Sequence, residues 1–351
     1  MNESAEKMTS CERVMRSLLH KETDRLPRDF DAEASLVEAL CSRLDMPNLE
    51  ELRRYFAVDM HKVSVGYACP YTDGRNIYGI SMHSSSSGAT SNVATHPLAN
   101  ARTVEDVESY TWPDADWADL EAAKGELVWA RNKELFTVCS SWGSVFGEAY
   151  RLMGMDNFMI ALHESPGVAH AIVSKLMDFY LEVDRRLFTH CAGLIDMAFY
   201  GNDMGTQQSL LFRREAFQEF FQEPLRRLVE QANRFGLKTM MHSCGAISEV
   251  IPDIISIGFD SLDPVQYTAT GMNPKGLKDF YGDKITFHGC ISAQKVLPHG
   301  TQQDVRAHVI EVCEIMKPGG GYIFTSDQSI TSDTPVDNVL KMFRAIDEMG
   351  Y

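Results

Sequence analysis

The sequence predicts an α/β protein, a single-domain (β/α)8 TIM barrel with an N-terminal helical extension. Three observations carry this. Short runs of strand character centre near residues 28, 61, 138, 198, 240, 262, 287 and 323, eight in all. Nearly all are separated by stretches with helical apolar spacing, the alternation of a parallel barrel. No Gly-rich fingerprint follows the first strand, as a dinucleotide-binding doubly wound sheet, the runner-up, requires. A length of 351 residues fits one barrel with insertions as well as two domains. We take residues 1–351 as one domain.

In chain order, residues 1–25 read as a helical segment ending at Leu26-Pro27, and Arg28 to Asp31 as a short strand. Helices follow from Ala32 to Leu44 and from Leu49 to Phe56, then the strand Met60 to Val65. Residues 66–111 form a long insertion rich in Gly, Ser, Tyr and Asn, with the run Ser84 to Gly88 and a hairpin expected around Tyr78 to Met82. Phe136 to Ser140 is a strand. Helical stretches run from Glu148 to Leu162 and from Ser165 to His190, where Ser165 offers a capping hydroxyl and Pro166 the first helical position.

Asp196 to Tyr200 is the next strand. Phe217, Phe220, Phe221, Leu225, Leu228, Val229 and Ala232 recur at helical spacing, with a kink expected at Pro224 and a stop at Gly236. The strand at 238–242 leads to a helix bearing Ile247, Val250, Ile251, Ile254 and Ile255 that closes at Gly258. Short strands follow at Asp260 to Asp263 and Ile285 to Gly289. Thr301 caps a helix, and Tyr322 to Thr325 precedes a last helix capped by Thr334-Pro335.

Composition narrows the function. Against 33 Lys plus Arg stand 49 Asp plus Glu, a formal charge of −16, which excludes nucleic acid and anionic membranes as main partners. No run of about 18 apolar residues is present to span a bilayer, and the polar stretch Met1 to His20 lacks the pattern of a secretory signal. Eight cysteines without paired spacing point to reduced thiols, hence a cytoplasmic protein. A small-molecule substrate is expected, and a homo-oligomer is compatible with the sequence.

In a barrel, chemistry collects at the carboxyl ends of strands. Those ends carry Asp29, Asp31, Tyr67, Ser141, Trp142, Asn202, Asp203, His242, Cys244, Pro264, Gln266, His288, Cys290, Asp327 and Gln328. In Lys238-Thr-Met-Met-His-Ser-Cys-Gly245, His242 and Cys244 are two residues apart and so face the same side of a strand. They read either as two ligands of one metal or as a core histidine and a buried thiol. His288 and Cys290 repeat the spacing, which makes Cys290 a further candidate ligand. Asp203 either binds the backbone of its Gly-flanked loop, orients substrate or braces a ligand histidine; Glu148 is either a helix-start carboxylate or catalytic. A His, a Cys and one more ligand leave a position open, the arrangement of a catalytic zinc.

Tyr200-Gly-Asn-Asp-Met-Gly-Thr-Gln207, His242-Ser-Cys-Gly245, Phe259 to Gln266, Phe287-His-Gly289, Pro318 to Phe324 and Asp333 to Asn338 together resemble the uroporphyrinogen decarboxylase superfamily. The resemblance covers residue 11 to the end and implies a (β/α)8 barrel. It offers two chemistries. The decarboxylases carry an Arg-Gln-Ala-Gly-Arg stretch after the first strand, where this chain reads Pro27-Arg-Asp-Phe-Asp-Ala-Glu33, a poor match to a polyanionic substrate. The other branch comprises corrinoid-dependent methyltransferases, including the methylcobamide:coenzyme M enzymes and those of O-demethylase systems. In the coenzyme M enzymes a His-x-Cys pair and a later Cys bind zinc.

That resemblance implies His242 and Cys244 as zinc ligands, but the third Cys has its counterpart at or near Gln328. Either Cys290, Asp327 or Glu148 then completes the site, or the metal is absent. It implies a methyltransferase moving a methyl group between a small methylated compound, for example a methoxylated one, and the cobalt of the cobalamin-type corrinoid carried by a partner protein. Asp203 and Glu148 are the expected catalytic acids. Tyr200, Asn202, Gln207, Gln266 and His288 are the expected substrate contacts. The alternatives are a metal-free decarboxylase and a catalytically silent binding barrel.

Overall fold

The computed structural model describes residues 7–83 and 92–350. Seven parallel strands form one sheet in sequence order: β1 (Met60–Ser64), β2 (Phe136–Ser140), β3 (Met197–Gly201), β4 (Lys238–His242), β5 (Ser261–Val265), β6 (Thr286–Ile291) and β7 (Tyr322–Ser326). The stretch at Arg28 supplies the eighth stave. It forms a parallel bridge to Phe324 of β7, and its carbonyl accepts the Asp59 N–H just before β1 at 2.8 Å. On the β7 side Phe324 accepts the Asp29 N–H at 3.0 Å and donates to the Pro27 carbonyl at 2.8 Å, whereas on the β1 side the Arg28 N–H goes to the Asp59 carboxylate instead of the backbone.

β2, β5, β6 and β7 are buried along their whole length, as expected of parallel strands covered on both faces. Inward-facing residues form two layers. The lower one, Met60, Phe136, Val138, Met197, Met240 and Ile323, is closed from beneath by Val14 and Leu18 of the helix Ser10–Leu18. That helix is fastened by its Ser17 hydroxyl, which donates to the Tyr322 carbonyl at 2.8 Å, and by Arg13, paired with Asp24 and Asp59. The upper layer, two residues further along each strand, contains Lys62, Phe199, His242, Asp263, His288 and Thr325, which line one cavity at the mouth.

The N-terminal helix stops at Leu18, short of the expected residue 25. Ser165 makes no side-chain cap although Pro166 does take the first helical position. The expected kink at Pro224 is a break three residues earlier, at Phe221, between Arg214–Phe220 and Gln222–Arg234. A proline near a helix start needs no N–H partner, so Pro224 sits inside the second helix without bending it. Thr301 caps the helix Gln302–Met316 with a reciprocal Asp304 bond, whereas Thr334 does not cap Val336–Glu348. In the insertion, Met82–His83 pairs antiparallel with Asn92–Val93 and Arg75 bridges Ser81; the run Ser84 to Gly88 lies outside the described residues. No described helix is long and apolar enough to cross a membrane.

Candidate metal centre

His242 ends β4 and points into the mouth; its neighbour Cys244 lies in the turn that follows. Two glycines make that turn fit against the loop after β3. Gly245 has φ +86°, and a Cβ there would lie 2.5 Å from the Thr206 carbonyl oxygen; one on Gly205 would lie 2.7 Å from the Cys244 carbonyl oxygen. The two loops are also joined by Asn202 N–H to the His242 carbonyl at 2.8 Å and Ala246 N–H to the Thr206 carbonyl at 2.7 Å. This close seam brings Asp203 to the pair: its Oδ1 accepts the Cys244 N–H at 3.0 Å.

His242 Nε2 is 3.2 Å from Cys244 Sγ and 3.2 Å from Asp203 Oδ1, and the three donor atoms lie within 4.8 Å of one another. With Zn–N near 2.0–2.1 Å and Zn–S near 2.3 Å, a tetrahedral site has ligand edges of about 3.3 to 3.6 Å. The triangle fits a zinc after small side-chain shifts. The other imidazole nitrogen, Nδ1, is 2.6 Å from Asp263 Oδ2, the outer carboxylate that fixes a metal-binding histidine with Nε2 toward the metal. Gln328 Nε2 donates to Cys244 Sγ at 3.0 Å.

The charges agree with a cation site. Against the cost of burial, His242 holds the Asp203 carboxyl well below the usual carboxylate range. Burial likewise opposes the charged form of His242, but the carboxylates of Asp203 and Asp263 raise it well above an ordinary histidine. In metal-free protein the imidazolium supplies the positive charge between two carboxylates; a metal on Nε2 displaces that proton.

Behind this triangle runs a buried chain of alternating charge. Asp263 Oδ1 bonds His288 Nδ1, His288 Nε2 is 3.1 Å from Asp29 Oδ2, and Lys62 Nζ is 2.9 Å from the same oxygen. Burial opposes every charge in it, yet the partners prevail: Asp263 and Asp29 are lowered, while His288 and Lys62 are raised. With a carboxylate on each ring nitrogen, His288 is an imidazolium. The chain lines a cavity of about 360 Å³ together with Trp142, Phe199 and Gln328. Trp142 meets Phe199 edge to face at 5.0 Å and lies 5.6 Å from the His242 ring. It can do so because position 201 is glycine, where a Cβ would fall 2.0 Å from the indole.

The structure brings together His242, Cys244, Asp203 and, one shell back, His288. Other expected residues lie elsewhere. Cys290 is fully buried beside Cys313 with φ +75° and is not one of the donors: Gly289, φ +112°, and a register shift against β5 break the strand alternation that would have turned it inward. Glu148 is buried in the first turn of Val145–Met153 and pairs with Arg151, away from the cavity. Tyr200 points outward, its hydroxyl donating to Asp184 at 2.9 Å. Asn202 braces the β2 loop by accepting the Phe146 N–H and donating to the Gly143 carbonyl. Gln207 is exposed, Gln266 accepts the Gly245 N–H at 2.7 Å, and Asp327 accepts the Ala293 and Tyr267 N–H groups. Burial pushes the Asp327 carboxyl up to about 7. Lys62 and Asp263 were not singled out by the sequence reading. Its place two residues beyond Met60, on the same face of β1, was the signal for Lys62.

A family model described as uroporphyrinogen decarboxylase (URO-D) matches residues 79–349. The methylcobamide:CoM methyltransferase of Methanosarcina barkeri is 25% identical over 138 residues; the match spans 39% of this chain and 38% of that protein, well under half its length. A solved methyltransferase from Methanosarcina mazei superposes with a TM-score of 0.73 at 16% identity, covering 98% of this chain and 100% of the other, which establishes the shared fold.

Proposed function

This chain belongs to the uroporphyrinogen decarboxylase family, and we propose that within it the protein is a zinc-dependent methyltransferase, moving a methyl group between a small methylated compound and the cobalt of a partner corrinoid protein. The observation that carries this reading is the donor triangle of His242, Cys244 and Asp203 with Asp263 behind the histidine. Those three would hold the zinc. When bound, it supplies Lewis acidity to the atom that gives up or receives the methyl group.

The chain's own groups do the rest. Asp263 keeps Nε2 of His242 directed at the metal position. Asp203 adds a hard oxygen where a second thiolate would make the centre softer and more electron-rich, and this favours a leaving oxygen or nitrogen over thiol activation. Trp142 and Phe199 wall the cavity beside the triangle and give it an aromatic face on that side. The cavity's own acids, Asp29, Asp31 and Asp263, face Lys62 and Arg53, with Lys62 already tied to Asp29, a lining that repels a polycarboxylate. That speaks against a tetrapyrrole decarboxylase.

Purified protein should carry one zinc per chain and methylate Co(I) corrinoid from a methylated donor. Zinc-free protein that decarboxylates uroporphyrinogen would overturn the reading.

A further inference from the structure

We propose that a cleft outside the barrel, beside β1, is a second ligand site built for a phosphorylated small molecule with a flat ring, and that Arg53 receives its phosphate. The cleft has a volume of about 730 Å³, the size of sites that hold a small organic ligand. It is walled by residues 7–10, by the helix Leu49–Tyr55, and by the helix Leu120–Asn132 with the turn that follows. His242, Cys244 and Asp203 take no part in it. The cleft is therefore a site apart from the donor triangle, and its ligand need not be a methyl donor.

In a chain with a formal charge of −16, six Lys and Arg side chains line this cleft against three Glu. Most of them are already matched. Arg13 and Arg25 share Asp59, Lys133 meets Glu50 at 2.9 Å, and Arg54 meets Glu51. His61 Nε2 is 2.8 Å from Glu126 Oε1. Arg53 is different. Among the described residues it forms no ion pair with a carboxylate; one terminal nitrogen meets His61 Nδ1 at 3.4 Å, and its buried Nε has no partner. Arg131 also has a buried, unpartnered Nε, but its terminal nitrogen holds Asp196 at 2.8 Å. A guanidinium with a free edge is suited to a phosphate, which it meets with two parallel bonds. The pairs of Lys133 and Arg54 are largely solvent-exposed, so both cations turn to an incoming anion at little cost. The rest of the wall suits a ring. Trp129 stands there with Leu49, Ala57 and Leu135, and Lys133 Nζ lies 6.0 Å from the centre of its ring. An aromatic wall beside cations is the arrangement that holds flat rings carrying phosphates.

The test is calorimetric titration of the full-length protein as purified with AMP, adenosine and inorganic phosphate, in wild type, Arg53→Gln, Arg53→Lys and His242→Ala. AMP should bind the wild type at least about tenfold more tightly than adenosine or phosphate, because AMP alone meets both the ring wall and the guanidinium. Arg53→Gln should weaken AMP by about 10- to 100-fold, the scale of a hydrogen bond to a charged group, with melting temperature unchanged. Arg53→Lys, which keeps the charge and loses the fork, should fall between the two. Arg53 also lines the mouth cavity, so His242→Ala separates the two places: it should bind AMP as the wild type does. No AMP binding, AMP binding that survives in Arg53→Gln, AMP binding lost in His242→Ala, or phosphate bound as tightly as AMP would each overturn the proposal.

Discussion

The base and the mouth of this barrel are made from the same strands, two residues apart, and they do opposite work. At the base, Met60, Val138, Met197, Met240 and Ile323 pack on Val14 and Leu18, and every one of these side chains is at most 4% exposed. At the mouth, the next inward positions include Lys62, Phe199, His242 and Thr325, joined by Asp263 and His288. The base gains free energy by removing apolar surface from water. The mouth gives up some of that gain to hold charges that stabilise one another only in register. The difference teaches that stability and chemistry are separated here by a single step of the pleat. Substitutions should therefore sort cleanly between them.

The largest separation is expected at His242. His242→Ala should remove stoichiometric zinc and abolish methyl transfer, with only the fall in the metal-free urea midpoint that comes from taking the imidazolium from Asp203 and Asp263, the latter keeping His288, measured by metal analysis and urea unfolding. Met240→Ala, two residues below, should do the opposite, costing about 2–5 kcal/mol of stability with zinc content retained in the folded fraction. A Met240→Ala protein that folds well but loses zinc would break the comparison. Asp263→Asn sharpens it from the outer shell: zinc affinity should fall by roughly 10- to 100-fold in competition with a chelator.

A smaller effect tests the wall outside the barrel. Burial pushes the Asp184 carboxyl up to about 7, against the bonds it accepts from the Ser141 N–H and the Tyr200 hydroxyl. Its folded value is above the unfolded one, so the folded state holds the extra proton. The stability this lends is complete below about pH 4 and is lost as pH rises toward 7. Asp184→Asn should flatten the stability profile across that window without changing zinc content. The smallest effect belongs to Cys290. If the donor set is His242, Cys244 and Asp203, Cys290→Ala should leave the metal content at wild-type level.

Much of this was legible in the chain. The seven strands of the sheet stand out because helices of a different period lie between them, and the Arg28 stretch completes the count of eight as a bridged stave. His242 and Cys244 were readable as a pair because both lie within one local element. The same local rule failed at Cys290, where two successive residues of positive φ reversed the facing. It failed again at Tyr200, since Phe199, in phase with Met197, is the residue that faces inward. Helix ends were least legible: Ser165 and Thr334 have capping side chains that the surrounding packing leaves unused.

The sequence by itself determined the barrel, its order of strands and the His-x-Cys pair, because each depends on periodicities a few residues long. Only the tertiary structure decided what completes the pair. Asp203 reaches Cys244 across 41 positions of sequence and Asp263 reaches His242 across 21. Both approaches depend on adjacent strands ending level and on glycines letting two loops touch. Charge pairing across neighbouring staves has no local period, so the third donor and the buried chain behind it appear only when the ring is closed.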